Sequence, residues 1–245
     1  MGAYAHVLEL VGVHGRRDDG DAGVAVLEDI DLVVDAGELV AVMGPSGSGK
    51  SSLLRTVSGL VRPSRGKVSV AGTDIAGLDG HGCARMRRRQ IGVLSEDPNL
   101  LPSLTALENV ALPLSLDAVR PRDARAAARL ALERVGIADK AGVFPEDLGV
   151  EDRQRVAIGR VLAAGCAVLV ADEPTGALDS QGSDAVMELL RACVDGGIAG
   201  LVATHDPRFA AWADRTLFMR DGRFVDDTGR DRAEGLLEGG PAWLP

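Results

Sequence analysis

The sequence is poor in the features on which secreted, metal-binding and nucleic-acid-binding proteins depend. It has only three cysteines in 245 residues. Cys83, Cys166 and Cys193 lie far apart and are odd in number, which argues against a disulfide framework or a metal cluster and fits a reducing cytoplasm. Asp and Glu outnumber Lys and Arg by 36 to 27. Since phosphate-backbone affinity rests on clustered positive charge, this balance argues against nucleic-acid binding.

Long apolar segments are missing as well. The longest, residues 162–171, is shorter than the roughly 20 residues that a membrane-spanning helix needs. The first residues lack the basic segment followed by an apolar one that marks a secretory signal. A basic run at residues 85–89 is expected to form a solvated helix face. The sequence therefore predicts a cytoplasmic protein without direct membrane insertion.

What the chain does have is a phosphate-binding motif. Residues 44–51 read Gly-Pro-Ser-Gly-Ser-Gly-Lys-Ser, between an apolar run at residues 39–43 that predicts a buried strand and a helical pattern at residues 50–57. Backbone amides and the helix N-terminus would face a phosphate, Lys50 would reach the β- and γ-phosphates, and Ser51 would bind Mg²⁺. The alternative, a Gly/Ser-rich turn, is disfavoured by the complete pattern. The residues predicted to bind nucleotide are Gly44, Pro45, Ser46, Gly47, Ser48, Gly49, Lys50, Ser51 and Ser52.

Three more polar residues follow apolar runs. Asp172 and Glu173 come directly after residues 167–171, and His205 follows residues 200–203. Ligands of open α/β sheets bind at the carboxyl ends of strands, so we expect these side chains beside the phosphate loop. Asp172 is predicted to hold Mg²⁺, Glu173 to orient or deprotonate the attacking water, and His205 to contact the γ-phosphate. The alternative for Asp172 and Glu173 on their own is an acidic turn at a strand end. The alternative for His205 on its own is a surface turn.

The remaining pattern predicts one domain over residues 1–245. Strands are predicted at residues 7–11, 24–34, 67–70 and 91–94, a polar loop at residues 16–23, and helices at residues 105–114, 121–135, 151–164 and 183–194. These elements indicate a small antiparallel layer beside a parallel core, at about residues 1–96 and 154–225. Residues 97–153 are predicted to be a helical insertion, and residues 226–245 a loosely packed tail.

In their order and spacing, the phosphate loop, residues 171–179 and residues 203–206 resemble the nucleotide-binding subunit of an ATP-binding-cassette (ABC) transporter. Residues 99–110 and 172–179 are similar to the macrolide-exporter and lipoprotein-release ATPases. The resemblance runs from about Val7 to Val225. It implies an α/β fold of the P-loop NTPase type: a RecA-like parallel sheet core with an antiparallel β layer and a helical insertion.

The resemblance also implies a function. Such a subunit binds and hydrolyses ATP with Mg²⁺, dimerises with a second nucleotide-binding subunit, identical or different, and powers a separate membrane permease. It lies on the inner face of the cell membrane through that permease. Residues 177–179 would cross the dimer interface, and the helical insertion would face the permease.

Two departures from the family pattern concern ligand binding. Where the family has an aromatic ring to stack on adenine, this chain offers only Arg16 or Arg17, whose guanidinium planes can stack on a base. Where the family has a glutamine that ligates magnesium and couples to the permease, this chain has Glu96. A carboxylate can still ligate magnesium but cannot donate an amide hydrogen bond.

The largest departure is the signature, the segment that closes over ATP held by the other subunit. The family reads Leu-Ser-Gly-Gly-Gln, whereas this chain reads Leu148, Gly149, Val150, Glu151 and Asp152. The side chain of Val150 would obstruct close backbone approach. Glu151 and Asp152 would carry negative charge toward the triphosphate. Two like unit charges ~4 Å apart repel by roughly 4 kcal/mol at an effective dielectric near 20. Acidic residues also suit a helix N-terminus.

Three hypotheses follow. The first is a transporter ATPase with one degenerate half-site, working opposite a subunit whose signature is intact. The second is a nucleotide-binding regulatory module that hydrolyses little. The third, a soluble ABC protein of DNA repair or translation, is disfavoured because such proteins usually carry two cassettes or long insertions and basic surfaces.

Overall fold

The two sheets of this computed structural model, which describes residues 6–17 and 24–229, meet over a shared apolar core. The strands are β1 (Leu8–Arg17), β2 (Val24–Val34), β3 (Leu39–Met43), β4 (Arg65–Val70), β5 (Thr73–Asp74), β6 (Ile91–Ser95), β7 (Val168–Asp172), β8 (Ala199–Ala203), β9 (Arg215–Arg220) and β10 (Arg223–Asp227). The helices are α1 (Lys50–Val57), α2 (Gly80–Gln90), α3 (Ala106–Leu116), α4 (Pro121–Arg134), α5 (Val150–Ala164), α6 (Ser180–Asp195) and α7 (Pro207–Ala210).

The larger sheet places the predicted functional residues at one edge. Its strand order is β10-β9-β3-β8-β7-β6, and all neighbours are parallel except β10 and β9. The strands β3, β7 and β8 are apolar runs buried on both faces, as a covered parallel sheet requires. Because these three strands are neighbours with the same direction, the residues that follow them meet at the carboxyl edge.

The smaller sheet is antiparallel, with the order β2-β1-β4-β5. Its apolar face packs with α1 and α2 against one side of the parallel sheet, in a cluster that includes Leu10, Ile30, Leu53 and Val170. The predicted α/β fold, with a parallel core and an antiparallel layer, is confirmed.

The opposite face of the parallel sheet shares a second apolar cluster with α3, α4, α5 and α6. The helix α3 begins with a capping box, in which Thr105 and Glu108 each bond the other's backbone amide. Alanines 124, 128 and 131 form the buried stripe of α4, which lets it lie close to α3 and α5. Among the described residues, no helix is both long and apolar enough to cross a membrane.

Several local predictions need correction. The strand β1 continues through Arg16 and Arg17, which were assigned to a loop, because residues 15–17 pair with β2; residues 18–23 lie outside the described residues. The strand β10 includes Asp226 and Asp227, so the chain is still part of the sheet where a loose tail was predicted. The rest of that tail, from residue 230, lies outside the described residues.

The basic run on α2 is not simply a solvated face. Arg88 and Arg89 both form ion pairs with Asp117 at the end of α3, and Arg87 donates a 2.8 Å hydrogen bond to the carbonyl of Gly59. Arg85 is exposed, as predicted, and is the only one of these arginines that forms no such bond within the described residues. The run therefore ties α2 to its neighbours.

Candidate functional site

The phosphate loop joins the buried strand β3 to the N-terminus of α1. Gly44 has a φ of +155° and Gly49 a φ of +110°, in the region that side chains disfavour. A Cβ on Gly44 would lie 2.2 Å from the Met219 carbonyl oxygen, and a Cβ on Gly49 would lie 2.7 Å from the Val26 carbonyl oxygen. Glycine is therefore required at both positions by conformation and by space.

Lys50 points back across this loop. Its Nζ donates hydrogen bonds of 2.7 Å to the Gly44 carbonyl and 3.2 Å to the Pro45 carbonyl. An ammonium group has three donors, so one remains for an anion. Nearby, the buried Ser48 hydroxyl oxygen has no hydrogen-bond partner in the described structure. An unsatisfied buried hydroxyl is costly, and it indicates a polar ligand or water in this loop.

A cavity of about 560 Å³ brings most of the predicted residues together. It is lined by Val26, Gly44, Pro45, Ser46, Gly47, Ser48, Gly49, Lys50, Ser51, Ser52, Asp172, Glu173 and His205. The structure thus places the loop, both strand-end acids and the histidine around one space. Ser51 and Asp172 supply the hydroxyl and carboxylate oxygens that Mg²⁺ prefers, so the donor set fits that ion.

Glu173 occupies a strained position directly after β7. Its φ of +48° is unusual for a residue other than glycine, and its backbone amide donates a 3.0 Å hydrogen bond to the Ala203 carbonyl of β8. Its side chain accepts a 2.8 Å hydrogen bond from His205 Nδ1. This hydrogen bond is the main reason that the pKa of His205 is raised above its usual value, and the carboxylate charge of Glu173 adds to it.

Glu96, the third predicted magnesium ligand, lies elsewhere. It lines a neighbouring cavity of about 610 Å³ together with Val150, Arg153 and Ala177. A Cβ built on Gly176 would lie 3.2 Å from its carboxyl carbon. The structure therefore places Glu96 against the turn after β7, apart from the cavity that Ser51 and Asp172 line.

The signature segment forms the start of α5. Gly149 is the N-cap and provides no side-chain hydrogen bond, as expected of a glycine. Asp152 bonds Lys140 Nζ at 2.5 Å, and Glu151 bonds Arg155 Nε at 2.8 Å. The hydrogen bond that Lys140 donates to Asp152 also raises the pKa of Lys140. Both acids thus lie in the first turn of a helix, as predicted, but each has a cationic partner in its own chain.

One supporting element of the site was missed from the sequence. The turn between β9 and β10 lies behind the phosphate loop, where the Gly222 amide donates a 2.8 Å hydrogen bond to the Ser48 carbonyl. Gly222 has a φ of +77°. The signal was present, because Asp221-Gly222 between two apolar segments is a strong hairpin pattern.

Comparison with known proteins identifies this arrangement. Residues 27–176 match the protein family described as ABC transporter. This chain belongs to the ABC transporter family. The family resemblance predicted from the phosphate loop, the strand-end acids and His205 is therefore confirmed.

Among curated relatives, this ABC cassette is similar to macrolide exporters. It is 40% identical over 225 residues to the macrolide export ATP-binding/permease protein MacB 1 of Yersinia pestis bv. Antiqua, covering 92% of this chain and 35% of that protein. It is 41% identical over 219 residues to MacB of Salmonella typhimurium, covering 89% of this chain and 34% of that protein. The chain spans about a third of the length of these curated relatives.

Solved ABC cassettes share the fold. A dimeric post-hydrolysis state of the ATP-binding cassette MJ0796, bound to ADP and Pi, has a TM-score of 0.82 and 34% identity, over 90% of this chain and 97% of that one. CbiO1 from Clostridium perfringens, part of the ABC transporter complex cbiONQ, has a TM-score of 0.82 and 28% identity, over 94% and 91%. This chain is thus an ATP-binding ABC ATPase domain, and a purely regulatory module is not favoured.

Proposed function

We propose that this cassette is the ATP-binding and ATP-hydrolysing half of an asymmetric pair that powers a membrane permease. The observation that carries the proposal is a contrast within one chain. The cavity around Lys50, Asp172, Glu173 and His205 brings together the phosphate loop, the strand-end acids and the histidine that one half of a composite site would use. The start of α5, which would serve the other composite site, lacks the serine, glycines and glutamine of the family signature.

The cavity is suited to a magnesium-bound triphosphate. Lys50 and the amides at the start of α1 would bind the phosphates, because they combine positive charge with oriented donors. Ser51 and Asp172 would hold Mg²⁺, with Asp172 acting mostly through water. When bound, the ion would neutralise part of the negative charge of the phosphates. Glu96 would join them only if the loop that carries it moved toward the cavity.

Glu173 and His205 support the hydrolytic role. Glu173 lies at the carboxyl end of β7, where its carboxylate can accept a proton from a water molecule near the γ-phosphate. His205 lies on the same cavity and holds one carboxylate oxygen of Glu173 by a 2.8 Å hydrogen bond. We infer that His205 orients the carboxylate and contacts the γ-phosphate when ATP is present.

The asymmetry follows from the start of α5. Val150 is 36% exposed and projects a branched side chain where the family places a glycine. Gly149 lacks the hydroxyl that would contact a γ-phosphate. In a homodimer both composite sites would contain this segment. Opposite a second subunit with an intact signature, one site would be complete and the other largely silent.

A membrane permease is the proposed partner of the helical side of the molecule. The relatives named above join ATP-binding and permease parts, and this chain matches about a third of their length. A groove of about 330 Å³, named here the α2/α5 groove, is lined by α2, β6, α3 and α5. Its apolar wall includes Val93 and Leu116, which are 39% and 62% exposed. We propose that a helix of the permease occupies it, which would bring the cassette to the inner membrane surface.

The decisive experiment rebuilds the signature. The variant carrying Gly149→Ser, Val150→Gly, Glu151→Gly and Asp152→Gln should hydrolyse ATP much faster than the unmodified chain, which should be a very weak ATPase. Space is available for the serine, since a Cβ on Gly149 would meet only Asp152 Oδ2 at 3.7 Å. Rapid hydrolysis by the unmodified chain at low concentration, abolished by Glu173→Gln, would contradict the proposed asymmetry.

A further inference from the structure

Positive charge in this acidic chain is concentrated on three helices. The helices α2, α3 and α4, with the turn between the last two, contain nine arginines and four Asp or Glu residues, a net charge of +5. The whole chain has a net charge of -9, so the remainder carries -14. A charge asymmetry of this size within one domain indicates a surface that meets an anionic partner.

Six exposed arginines of this region form a surface named here the arginine face. Arg89 on α2 pairs at 2.6 Å with Asp117, directly after α3, and Arg125 on α4 lies 4.0 Å from Glu108 on α3. Arginines of α2 and α4 therefore border α3 at its end and near its start. The arginine face consists of Arg85, Arg89, Arg120, Arg122, Arg125 and Arg129.

Two arginines of this face carry charge that the chain does not neutralise by pairing. Arg122 and Arg129 form no ion pair within the described residues, and they lie on the side of α4 opposite its buried alanine stripe. Their spacing of seven residues places them about two turns apart along that side. Of the two acids of α4, Asp123 is paired with Arg120, and Glu133 lies in the last turn.

An exposed leucine lies beside these arginines. Leu130 follows Arg129 on α4 and is 60% exposed. In water this apolar surface gains nothing, whereas at a bilayer surface the arginines meet lipid phosphates and the leucine reaches the acyl boundary. A nucleic-acid duplex offers the phosphates without an apolar layer. The combination therefore favours a membrane surface as the anionic partner.

We propose that the arginine face is a membrane-contact surface, which binds anionic phospholipid headgroups of the inner leaflet while Leu130 packs against the acyl boundary. The cassette then lies on the bilayer and does not cross it. Clusters of basic residues on a helix are typical of binding to anionic lipids. Each arginine next to an anionic leaflet contributes about fivefold to binding, so Arg122 and Arg129 together contribute at least about tenfold.

The arginine face borders the α2/α5 groove. Leu116 lines that groove and lies four residues before Arg120 of the face. A permease in the groove would hold the arginine face close to the bilayer, and lipid contact would add to the affinity that the permease provides. This placement rests on the proposed function, whereas headgroup binding by the chain alone does not.

An environment-sensitive fluorescent label on the full chain reports which surface meets a vesicle. Ala126→Cys places the label on the exposed side of α4, and Val225→Cys places it on β10, at the opposite edge of the larger sheet from β6. The three native cysteines are buried, and burial raises the pKa of Cys166 to about 12 and that of Cys193 to about 11. The new thiol therefore reacts preferentially.

The probe is a vesicle of equal parts phosphatidylglycerol and phosphatidylcholine at low salt, with phosphatidylcholine alone as the neutral comparison. The emission of the Ala126→Cys label should shift to shorter wavelength with the mixed vesicles only. The Val225→Cys label should respond to neither. Partitioning measured by vesicle flotation should fall as salt is raised, because salt screens the attraction.

Paired variants test the arginines. Arg122→Gln with Arg129→Gln should reduce partitioning at least about tenfold. Arg65→Gln with Lys67→Gln is the matched control, because it removes the same charge from exposed positions of β4 and should leave partitioning nearly unchanged. Leu130→Gln keeps the charge and should weaken partitioning about fivefold, since it removes an apolar contact. Thermal unfolding checks each variant, and if the arginine pair does not fold, Leu130→Gln decides.

Undiminished partitioning of the Arg122 and Arg129 variant, an equal loss in the control pair, or a response at Val225 instead of Ala126 would overturn the proposal. Absence of vesicle binding by the unmodified chain would do the same, as would a response of the Ala126 label to a DNA duplex but not to vesicles. The measurement uses neither ATP nor a permease. Its failure would leave the proposed function standing, and a failed rebuild of the signature would leave vesicle binding unaffected.

Discussion

The imidazole of His205 and the carboxylate of Glu173 share a 2.8 Å hydrogen bond, although they follow two different strands and are 32 residues apart in sequence. The contact exists because β7 and β8 are parallel neighbours. Glu173 is further fixed by the hydrogen bond that its backbone amide donates to the Ala203 carbonyl. Two groups to which the sequence pattern assigned separate tasks are thus directly bonded to each other. The protonation state of His205 therefore depends on this contact.

This contact predicts a raised pKa for His205. The hydrogen bond and the negative charge of Glu173 favour the imidazolium form, so the folded-state pKa should exceed the usual 6.5. The resulting stabilisation is fully present below pH 6.5 and is lost as the pH rises through the folded-state pKa. An NMR titration of the histidine ring protons should show the raised value, and Glu173→Gln should lower it. An identical titration in both proteins would contradict the contact.

Nucleotide binding should depend on Lys50. Lys50→Ala removes the only lysine or arginine that lines the phosphate cavity among the described residues, so calorimetry should show at least about a tenfold loss of magnesium-ATP affinity, the worth of a charged hydrogen bond. Lys67→Ala is a suitable control, because Lys67 is exposed on β4. Equal affinity in the Lys50 variant would refute the assignment of the phosphate loop.

Base recognition should be weak and should involve an arginine. No Phe, Tyr or Trp lines the phosphate cavity among the described residues. Arg16 lies exposed on β1 opposite Ala25, the neighbour of the cavity residue Val26. Guanidinium stacking does not distinguish purines. We therefore expect ATP and GTP affinities within about threefold of each other, and Arg16→Ala should weaken both. A strong preference for ATP that survives this change would point to another base-binding group.

The extent to which the sequence predicted this molecule depended on how local each signal was. The strands β2 and β3 and the helix α1 have the predicted bounds, because an apolar run, a glycine pattern and a helical period are read within a few residues. Residues that meet at the ends of parallel strands could also be predicted, since strand direction fixes that edge. This is why Asp172, Glu173 and His205 were expected beside the loop.

Contacts between distant side chains could not be predicted in this way. Nothing in the local pattern of Gln154 or Arg160 shows that they bond carbonyls about 60 residues earlier. The same applies to Lys140, whose pairing with Asp152 depends on how the chain folds between α4 and α5. The prediction that the acidic signature repels the triphosphate was incomplete for this reason. It did not take into account the cations that pair with the two acids, Lys140 and Arg155.

Glu173 should account for hydrolysis once the signature is repaired. In the rebuilt variant described above, adding Glu173→Gln keeps the size of the side chain and removes the general base. Turnover should then fall by roughly two to four orders of magnitude, while ATP binding measured by calorimetry persists. Unchanged turnover would assign the base to another residue.

The last prediction distinguishes two causes of a defective signature, the altered shape at Gly149 and Val150 and the negative charge of Glu151 and Asp152. Glu151 and Asp152 are each paired with a cation of the same chain, Arg155 and Lys140, so their net charge at the start of α5 is largely compensated. Neutralising them alone, with Glu151→Gln and Asp152→Asn, would also release those two cations and should change turnover by less than about threefold, since exposed or half-exposed pairs contribute only ~1 kcal/mol or less.

The pair Gly149→Ser and Val150→Gly should act differently. It restores the hydroxyl and the close backbone approach without altering either ion pair, and it should provide most of the ATPase gain seen in the full rebuild. Steady-state hydrolysis by the two double variants, with ATP binding measured in parallel, compares shape with charge directly. A gain confined to the charge-neutralised variant would mean that Glu151 and Asp152 turn toward the nucleotide when the dimer closes, despite their partners Arg155 and Lys140.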